Sequence, residues 1–437
     1  MSEGRKLRIL VLSEPAWAEE NNTGNTLSNF FSGFPAEFAN IYFRPGEPHN
    51  SLCHRYFQVT DYMVLEHLLK HRKIGRMFEI QEKTEDKKAE EKAEETVSSS
   101  DSFDQKARKH NSFYGLLLRE LAWKMAKVDN DALYAFIDEF QPDVIYAPVY
   151  GNLRMTRIFS RIKDHTGLPM VSLISDDHYF PEPAKKTPLR LWYHHALQKN
   201  LKKMFRRIDC LLTMTQEQAD AYEPIYGKPL EVIKKSAVIS YQAHEKQPVI
   251  RLIYGGGIYF GREETLVKLA EAVKKLNEAR HRYELYIYSG NTVSEEHMRV
   301  LNDRKNSFFM GKISYPQLLQ EYHRSDIAVH AEGFDAESIE KVKLSFSTKI
   351  IDCLQSGSPV LCIADESSAG ARYLERENAA VVVHDPTKIE EGIRELDEHY
   401  EIWQKRAYDC LEKNHSHAHN LERLEQIFNG VVREKAD

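Results

Sequence analysis

The chain has 437 residues, 42% of them apolar, and a formal net charge of −6 at pH 7. That length exceeds one ordinary domain, and the apolar share is enough for two cores. The mild, dispersed charge excludes nucleic acid as an obvious partner, and five cysteines without a C-x-x-C pair suggest neither a disulfide framework nor a zinc site. The first apolar run is too short for a signal-peptide core or a membrane span, so the expectation is a reduced, cytoplasmic protein.

Leu7 to Leu12 reads as a buried first strand. A polar loop with Gly24 and Asn25 follows, and a helix-like run begins at Leu27. Strand, glycine-bearing loop and helix form the entry unit of a doubly wound fold, whose ligands bind at the carboxyl ends of the strands. Gly24 and Asn25 are therefore candidate ligand residues, although a plain connection fits them equally. Ile41–Arg44 reads as a second strand. The run from Lys83 to Glu95 is charged on every face and leads into serines, so 82–111 is expected to be a mobile insert or a solvated helix. Phe113 to Phe140 carries Leu117, Leu121, Met125, Leu133, Phe136 and Ile137 at helical spacing.

Pro142–Ala147 and Met170–Ile174 read as strands around a helix from Met155 to His165. The second of these strands runs into Asp176-Asp177-His178, two carboxylates and an imidazole at a carboxyl edge. Any of the three suits orienting or deprotonating an acceptor hydroxyl. Capping the next helix, or pairing with basic neighbours, suits them as well. Arg190 to Arg207 combines Trp192, Leu197, Leu201, Met204 and Phe205 with six basic positions, Arg190 to Arg207 included, and no acidic residue. Weak contact with the inner face of an anionic membrane is one reading of 190–207; a surface helix buried on one side is the simpler one.

Periodicity fades between Ile225 and Val249, which places a domain boundary near Tyr241. The expected division is 1–240, 241–385 and a helical tail, 386–437, packing back toward the N-terminal domain. Ile250–Tyr254 opens the second domain as a strand, followed by Gly255-Gly256-Gly257-Ile258-Tyr259-Phe260-Gly261-Arg262. A dinucleotide fingerprint fails here, because its third glycine position is Phe260. The glycines still admit a ligand close to the backbone, and Arg262 suits phosphate oxygens. Asp326–His330 is a later strand, running into Glu332-Gly333-Phe334-Asp335. Ser345 to Leu361 then reads as a polar turn, a helix ended by Gly357, and a strand. Ser345, Ser347 and Thr348 suit a helix N-terminus, which favours phosphate. Lys349 would add a cation, and Asp352, one turn on, could take a ribose or sugar hydroxyl. Two doubly wound α/β domains in tandem follow, with both loops of the second able to close on one diphosphate. His415, His417 and His419 alternate near the C-terminus, and a solvated turn is the simpler reading than a metal site.

The glycine run with Arg262, the Glu332-Gly333-Phe334 segment, and the run from Ser347 to Val360 together resemble the donor domain of GT-B-fold retaining glycosyltransferases of the family 4 type. The resemblance covers roughly 249–383; the first domain is similar only in layout. It implies two Rossmann-like domains facing a central cleft, and transfer of a sugar from a nucleotide-diphosphate sugar to a hydroxyl with retention. Glycan, lipid-linked or protein acceptors in surface polysaccharide synthesis or protein modification are implied, with no metal and no further cofactor. By resemblance, Arg262, Lys349, Glu332 and Asp176 would be catalytic. Gly256, Gly257, Glu337, Ser347, Thr348 and Asp352 would bind the donor, and Gly24, Asn25, Asp177 and His178 would face the acceptor. Three positions depart from the family pattern. One cation, Arg262, is evident in the diphosphate loop, with Lys349 a source for the second. Asp352 stands where the family has a longer glutamate. The family's first glutamate falls on Leu344, leaving Glu332 or Glu337 as the nearest carboxylates. A GT-B-shaped binding partner without catalysis, or a nucleotide-sugar epimerase, are the alternative expectations.

Overall fold

Leu7–Ser13 is apolar apart from Arg8 and Ser13, a pattern that demands cover on both faces. In the computed structural model, which describes residues 5–80, 113–180, 185–237 and 244–436, it forms β1 at the middle of an eight-stranded sheet. The chain continues through α1 (Asn22–Phe31), β2 (Ala36–Tyr42), β3 (Cys53–Gln58), α2 (Asp61–Lys70) and β4 (Arg76–Glu79). Then come α3 (Phe113–Met125), α4 (Asp131–Phe140), β5 (Val144–Tyr146), α5 (Leu153–Thr166), β6 (Met170–Ile174), α6 (Pro188–Phe205), β7 (Cys210–Thr213), α7 (Gln216–Tyr226) and β8 (Glu231–Val232). The strand order is β4-β3-β2-β1-β5-β6-β7-β8, parallel except for β4. Winding therefore reverses between β1 and β5.

The second sheet repeats the scheme. Its elements are β9 (Ile250–Gly255), α8 (Arg262–Leu276), β10 (Tyr283–Tyr288), α9 (Glu295–Leu301), β11 (Ser307–Gly311), α10 (Tyr315–His323), β12 (Ile327–Ala331), α11 (Ala336–Val342), α12 (Lys349–Leu354), β13 (Val360–Ile363), α13 (Ala369–Arg376) and β14 (Val381–Val383). Three helices follow: α14 (Ile389–Glu398), α15 (Tyr400–His415) and α16 (His417–Ala436). The order β11-β10-β9-β12-β13-β14 is wholly parallel, and winding reverses between β9 and β12. Leu252, Leu285, Val329 and Leu361 fill its core against Leu266, Leu269 and Val273 of α8.

Two compact units result. One comprises Met1–Thr213, Ala219–Val232 and Leu421–Asp437; the other comprises Met214–Gln218 and Ile233–Asn420. Phe428 of α16 packs on Phe31, Phe34 and Tyr146 within the first unit. The boundary expected near Tyr241 and the charged run from Lys83 to Glu95 lie outside the described residues.

One expectation is corrected. The helix expected from Phe113 to Phe140 is broken in two. Lys127 is left-handed (φ 47°), and Asn130 then caps α4, its side chain accepting from the Leu133 amide at 3.1 Å. Helix α6 buries Tyr193, Leu197, Leu201, Met204 and Phe205 in the first unit and leaves Trp192, Lys199, Lys202, Lys203 and, at its C-terminal cap, Arg206 exposed, the one-sided surface helix that is the simpler reading of 190–207. No helix among the described residues is long and apolar enough to cross a membrane.

Candidate active site

The reversal of the second sheet opens the space between two strand ends, β9 and β12, and the chain fills it with charge. Gly256, just past β9, has φ 133°, and a Cβ there would lie 2.2 Å from Cε of Lys349. Only glycine lets the α12 lysine cross the loop, and Lys349 Nζ then donates to the Gly257 carbonyl at 3.3 Å. Gly261 and Gly333 approach each other just as closely, a Cβ on Gly261 lying 3.0 Å from Gly333 Cα. This contact brings the head of α8 against the segment that follows β12.

Arg262, the first residue of α8, donates from Nε and Nη2 to one oxygen of Glu332 at 2.8 and 2.7 Å. His330 Nε2 stands 3.3 Å from the other oxygen. Thr265 fixes the same turn by donating to the Glu332 carbonyl at 2.7 Å. Arg262, Glu332 and His330 are buried. Burial opposes ionisation of Glu332, but His330 and Arg262 hold its carboxyl below the usual glutamate range. Lys349 is pushed down to about 8, first by burial and then by the Arg262 charge.

Asp352, one turn along α12, accepts from the Tyr315 hydroxyl at 2.8 Å and from Gln355 Nε2 at 3.4 Å, and faces Lys235 Nζ at 4.0 Å. Burial pushes its carboxyl upward, against Lys235 and Tyr315. Lys235 and Tyr315 carried no motif that sequence reading could find. Both reach Asp352 from distant parts of the chain.

The structure therefore brings Gly256, Gly257, Arg262, Glu332, Lys349 and Asp352 together around the strand ends. It does not bring Glu337, which is exposed and pairs with Lys341 at 2.7 Å, one helical turn away. Glu332, expected to touch a sugar, is instead sealed by Arg262 and His330. Ser347 and Thr348 precede α12, but Thr348 makes no side-chain cap, and the helix has only six residues. The hydroxyl-capped N-terminus expected there is not formed.

The first unit places its expected residues more loosely. Gly24 lies in α1, where a Cβ would meet the Ala18 carbonyl oxygen at 2.0 Å, so backbone packing accounts for it. Asn25 lies one residue on, part-buried. Asp177 accepts from the amides of Tyr179 and Phe180 at 3.0 and 3.1 Å and from the Tyr222 hydroxyl at 2.6 Å. These bonds tie Asp177 to its own loop and to Tyr222. Asp176 is exposed. His178 packs on Gly151 beyond β5, and burial lowers its pKa against Asp176, Asp177 and Glu14. Sequence reading missed Glu14, the residue directly after β1, which meets Arg154 and also Arg44 at 3.0 Å. A carboxylate immediately beyond the first buried strand was the available signal.

Among the described residues no His/Cys/Asp/Glu group could hold a metal ion. His415 is buried and bonded to Tyr373 and the Lys235 carbonyl at 2.7 and 2.8 Å, whereas His417 meets Ser236 at 2.8 Å.

No family model matches the chain, and no curated protein matches it either. Solved structures do. Sucrose-phosphate synthase from Thermosynechococcus elongatus is similar with a TM-score of 0.60 at 12% identity, covering 98% of this chain and 100% of that one. HepE of Anabaena in complex with UDP gives 0.57 at 10%, over 97% and 100%. A glycosyltransferase from Rickettsia africae gives 0.56 at 10%, over 98% and 99%. Each unit is a Rossmann-like α/β domain, and the chain has the GT-B fold of these structures.

Proposed function

We propose that the chain transfers a sugar from a nucleotide-diphosphate sugar to a hydroxyl acceptor, with retention, in the synthesis of a surface polysaccharide or related glycan. One observation carries this: two cations, Arg262 and Lys349, converge at the reversal of the second sheet, and among the described residues Lys349 has no carboxylate within ion-pair distance. Such a place suits an anion, and the UDP and UDP-2-fluoro glucose complexes among the similar structures accord with it.

Negative charge grows on the departing diphosphate, so catalysis is chiefly electrostatic stabilisation by groups already in place. Glu332 takes the Nε and Nη2 edge of Arg262 and positions it. Nη1 has no partner among the described residues and is the atom that meets phosphate. Lys349 supplies the second charge and must be protonated to do so. Asp352, held by Tyr315 and facing Lys235, receives the ribose hydroxyls. In the first unit, Asp176 and His178 serve the acceptor. No metal is required.

Purified full-length protein should hydrolyse one member of a panel of nucleotide-diphosphate sugars slowly without acceptor, and Arg262→Ala should abolish this. Absence of both turnover and binding across the panel removes the proposal. A second reading, a GT-B-shaped binding partner without catalysis, is favoured by the neutralisation of Arg262 by Glu332. Tight nucleotide-sugar binding with no turnover in the presence of acceptor extracts would select it.

A further inference from the structure

The loop that leads into Arg262 carries two aromatic side chains that the core does not use. Tyr259 and Phe260 are 46% and 47% exposed, while their neighbour Ile258 is buried. Phe260 has a left-handed backbone (φ 58°), which a bulky side chain resists, and Gly261 follows at φ 68°. Glycine at both positions would make that turn without strain. The strain is kept together with the ring, and backbone strain kept in this way gathers at ligand sites.

The two rings are propped in place. They meet edge to face, with centroids 4.8 Å apart and planes at 90°. Lys341 Nζ, from α11, lies 3.8 Å from the centre of the Phe260 ring and is itself held by Glu337 at 2.7 Å. Tyr259 folds back on the turn after β9: a Cβ on Gly257 would lie 2.3 Å from its Cε1 and displace the ring. The Arg262 guanidinium is 5.5 Å from the centre of the same ring. Among the described residues the Tyr259 hydroxyl has no hydrogen-bond partner. An open aromatic ring thus stands directly beside the two cations of the site.

The contacts give the site a direction. Asp352 lies one turn along α12 from Lys349, and Lys349 Nζ reaches the Gly257 carbonyl. Gly257 touches Tyr259, and Tyr259 neighbours Arg262. Asp352 and Tyr259 therefore stand at opposite ends, with Lys349 between them. A diphosphate whose ribose lies at Asp352 turns its other substituent toward Tyr259. We propose that the Tyr259 ring, propped by Phe260, is the platform on which the sugar of a nucleotide-diphosphate sugar stacks. The negative face of a phenol ring attracts the polarised C–H groups of a pyranose, and its hydroxyl can donate to or accept from a sugar hydroxyl. The nucleobase is the other flat group of such a ligand, but it lies beyond the ribose, on the Asp352 side. The platform rests on the glycosyltransferase reading and carries it from the diphosphate to the group transferred.

The test is calorimetric titration of the full-length protein with UDP, GDP and ADP, and with UDP-glucose, UDP-N-acetylglucosamine, GDP-mannose and ADP-glucose. Each sugar conjugate is read against its own diphosphate. For the conjugate that wild type binds tightest, Tyr259→Ala should weaken binding about tenfold, whereas Tyr259→Phe, which keeps the ring, should weaken it far less. Affinity for the matching nucleoside diphosphate should stay close to wild type in both variants. Equal losses for diphosphate and conjugate would assign Tyr259 to the turn or to the nucleoside and overturn the proposal. So would a conjugate bound equally well by wild type and Tyr259→Ala, a result that leaves the glycosyltransferase reading standing. Absence of binding by every compound removes that reading and the platform with it.

Discussion

The two sheets reverse their winding in the same way, and each reversal is marked by a buried arginine–glutamate pair, but the pairs are embedded differently. At the β1/β5 reversal Glu14 is shared by Arg154 and Arg44, and Arg154 also faces Glu120, which takes Arg157. Every guanidinium there has a carboxylate. At the β9/β12 reversal Arg262 has Glu332, but Lys349 meets the Gly257 carbonyl and the Tyr254 ring and no carboxylate within ion-pair distance among the described residues. An anion arriving at the first network would have to displace a carboxylate. At the second it would meet a cation that burial has made costly and that gains from a counter-charge. The same topology thus gives one reversal whose guanidiniums are all paired and one whose lysine has no carboxylate partner among the described residues.

The largest effect that separates them is catalytic. Arg262→Ala should lower kcat by about 10²–10³-fold, the loss typical of one preorganised donor to a developing anion. A residual rate near wild type would move the anion site elsewhere. The counterpart in the first unit is Glu14→Gln, which leaves Arg154 buried with less compensation. It should cost about 3–5 kcal/mol of stability, read by denaturant unfolding, with nucleotide affinity unchanged in the folded fraction. Loss of affinity without loss of stability would reverse the assignment of the two networks.

The pH dependence is next in size. With Lys349 near 8, the charged form needed for diphosphate is present below that pH and lost above it. Donor kcat/KM should therefore fall as pH rises through about 8, and Lys349→Arg should flatten that limb. Stability has the opposite sign. Between the folded value and the ordinary lysine value the unfolded chain binds more protons, so this group's contribution to stability rises with pH over that window. The smallest effect is at Lys235. Lys235→Met should raise the donor KM by roughly tenfold with kcat nearly unchanged, because Asp352 loses the cation that favours its charge, and Lys235→Arg should restore it. An unchanged KM would show that Tyr315 and Gln355 hold Asp352 without Lys235.

How far the sequence revealed this depended on how local each feature is. The alternation of strand and helix, and the glycine-rich turn ending at Arg262, are written in contiguous residues, and the structure keeps them. The partnership of Arg262 with Glu332 spans 70 residues, so a carboxylate after a strand was read as a sugar contact when it is an arginine's counter-ion. Lys235 and Tyr315 were invisible for the same reason: nothing beside them in the chain announces Asp352. Asp177 stayed open because a carboxylate at a strand end serves a ligand or its own loop equally well in sequence, and its bonds to the amides of Tyr179 and Phe180 appear only in the structure. In α6 the spacing of Leu197, Leu201, Met204 and Phe205 is itself local, and the side it marks is the one the core has taken.

The most direct measurement is calorimetric titration of inorganic pyrophosphate into the full-length protein and its Lys349→Met variant, at pH 7.0 and pH 9.5. The account predicts binding by the wild type at the lower pH, at least about tenfold weaker binding at the higher one, and weak, pH-independent binding by the variant. Equal affinity in the two proteins at pH 7.0 would contradict it.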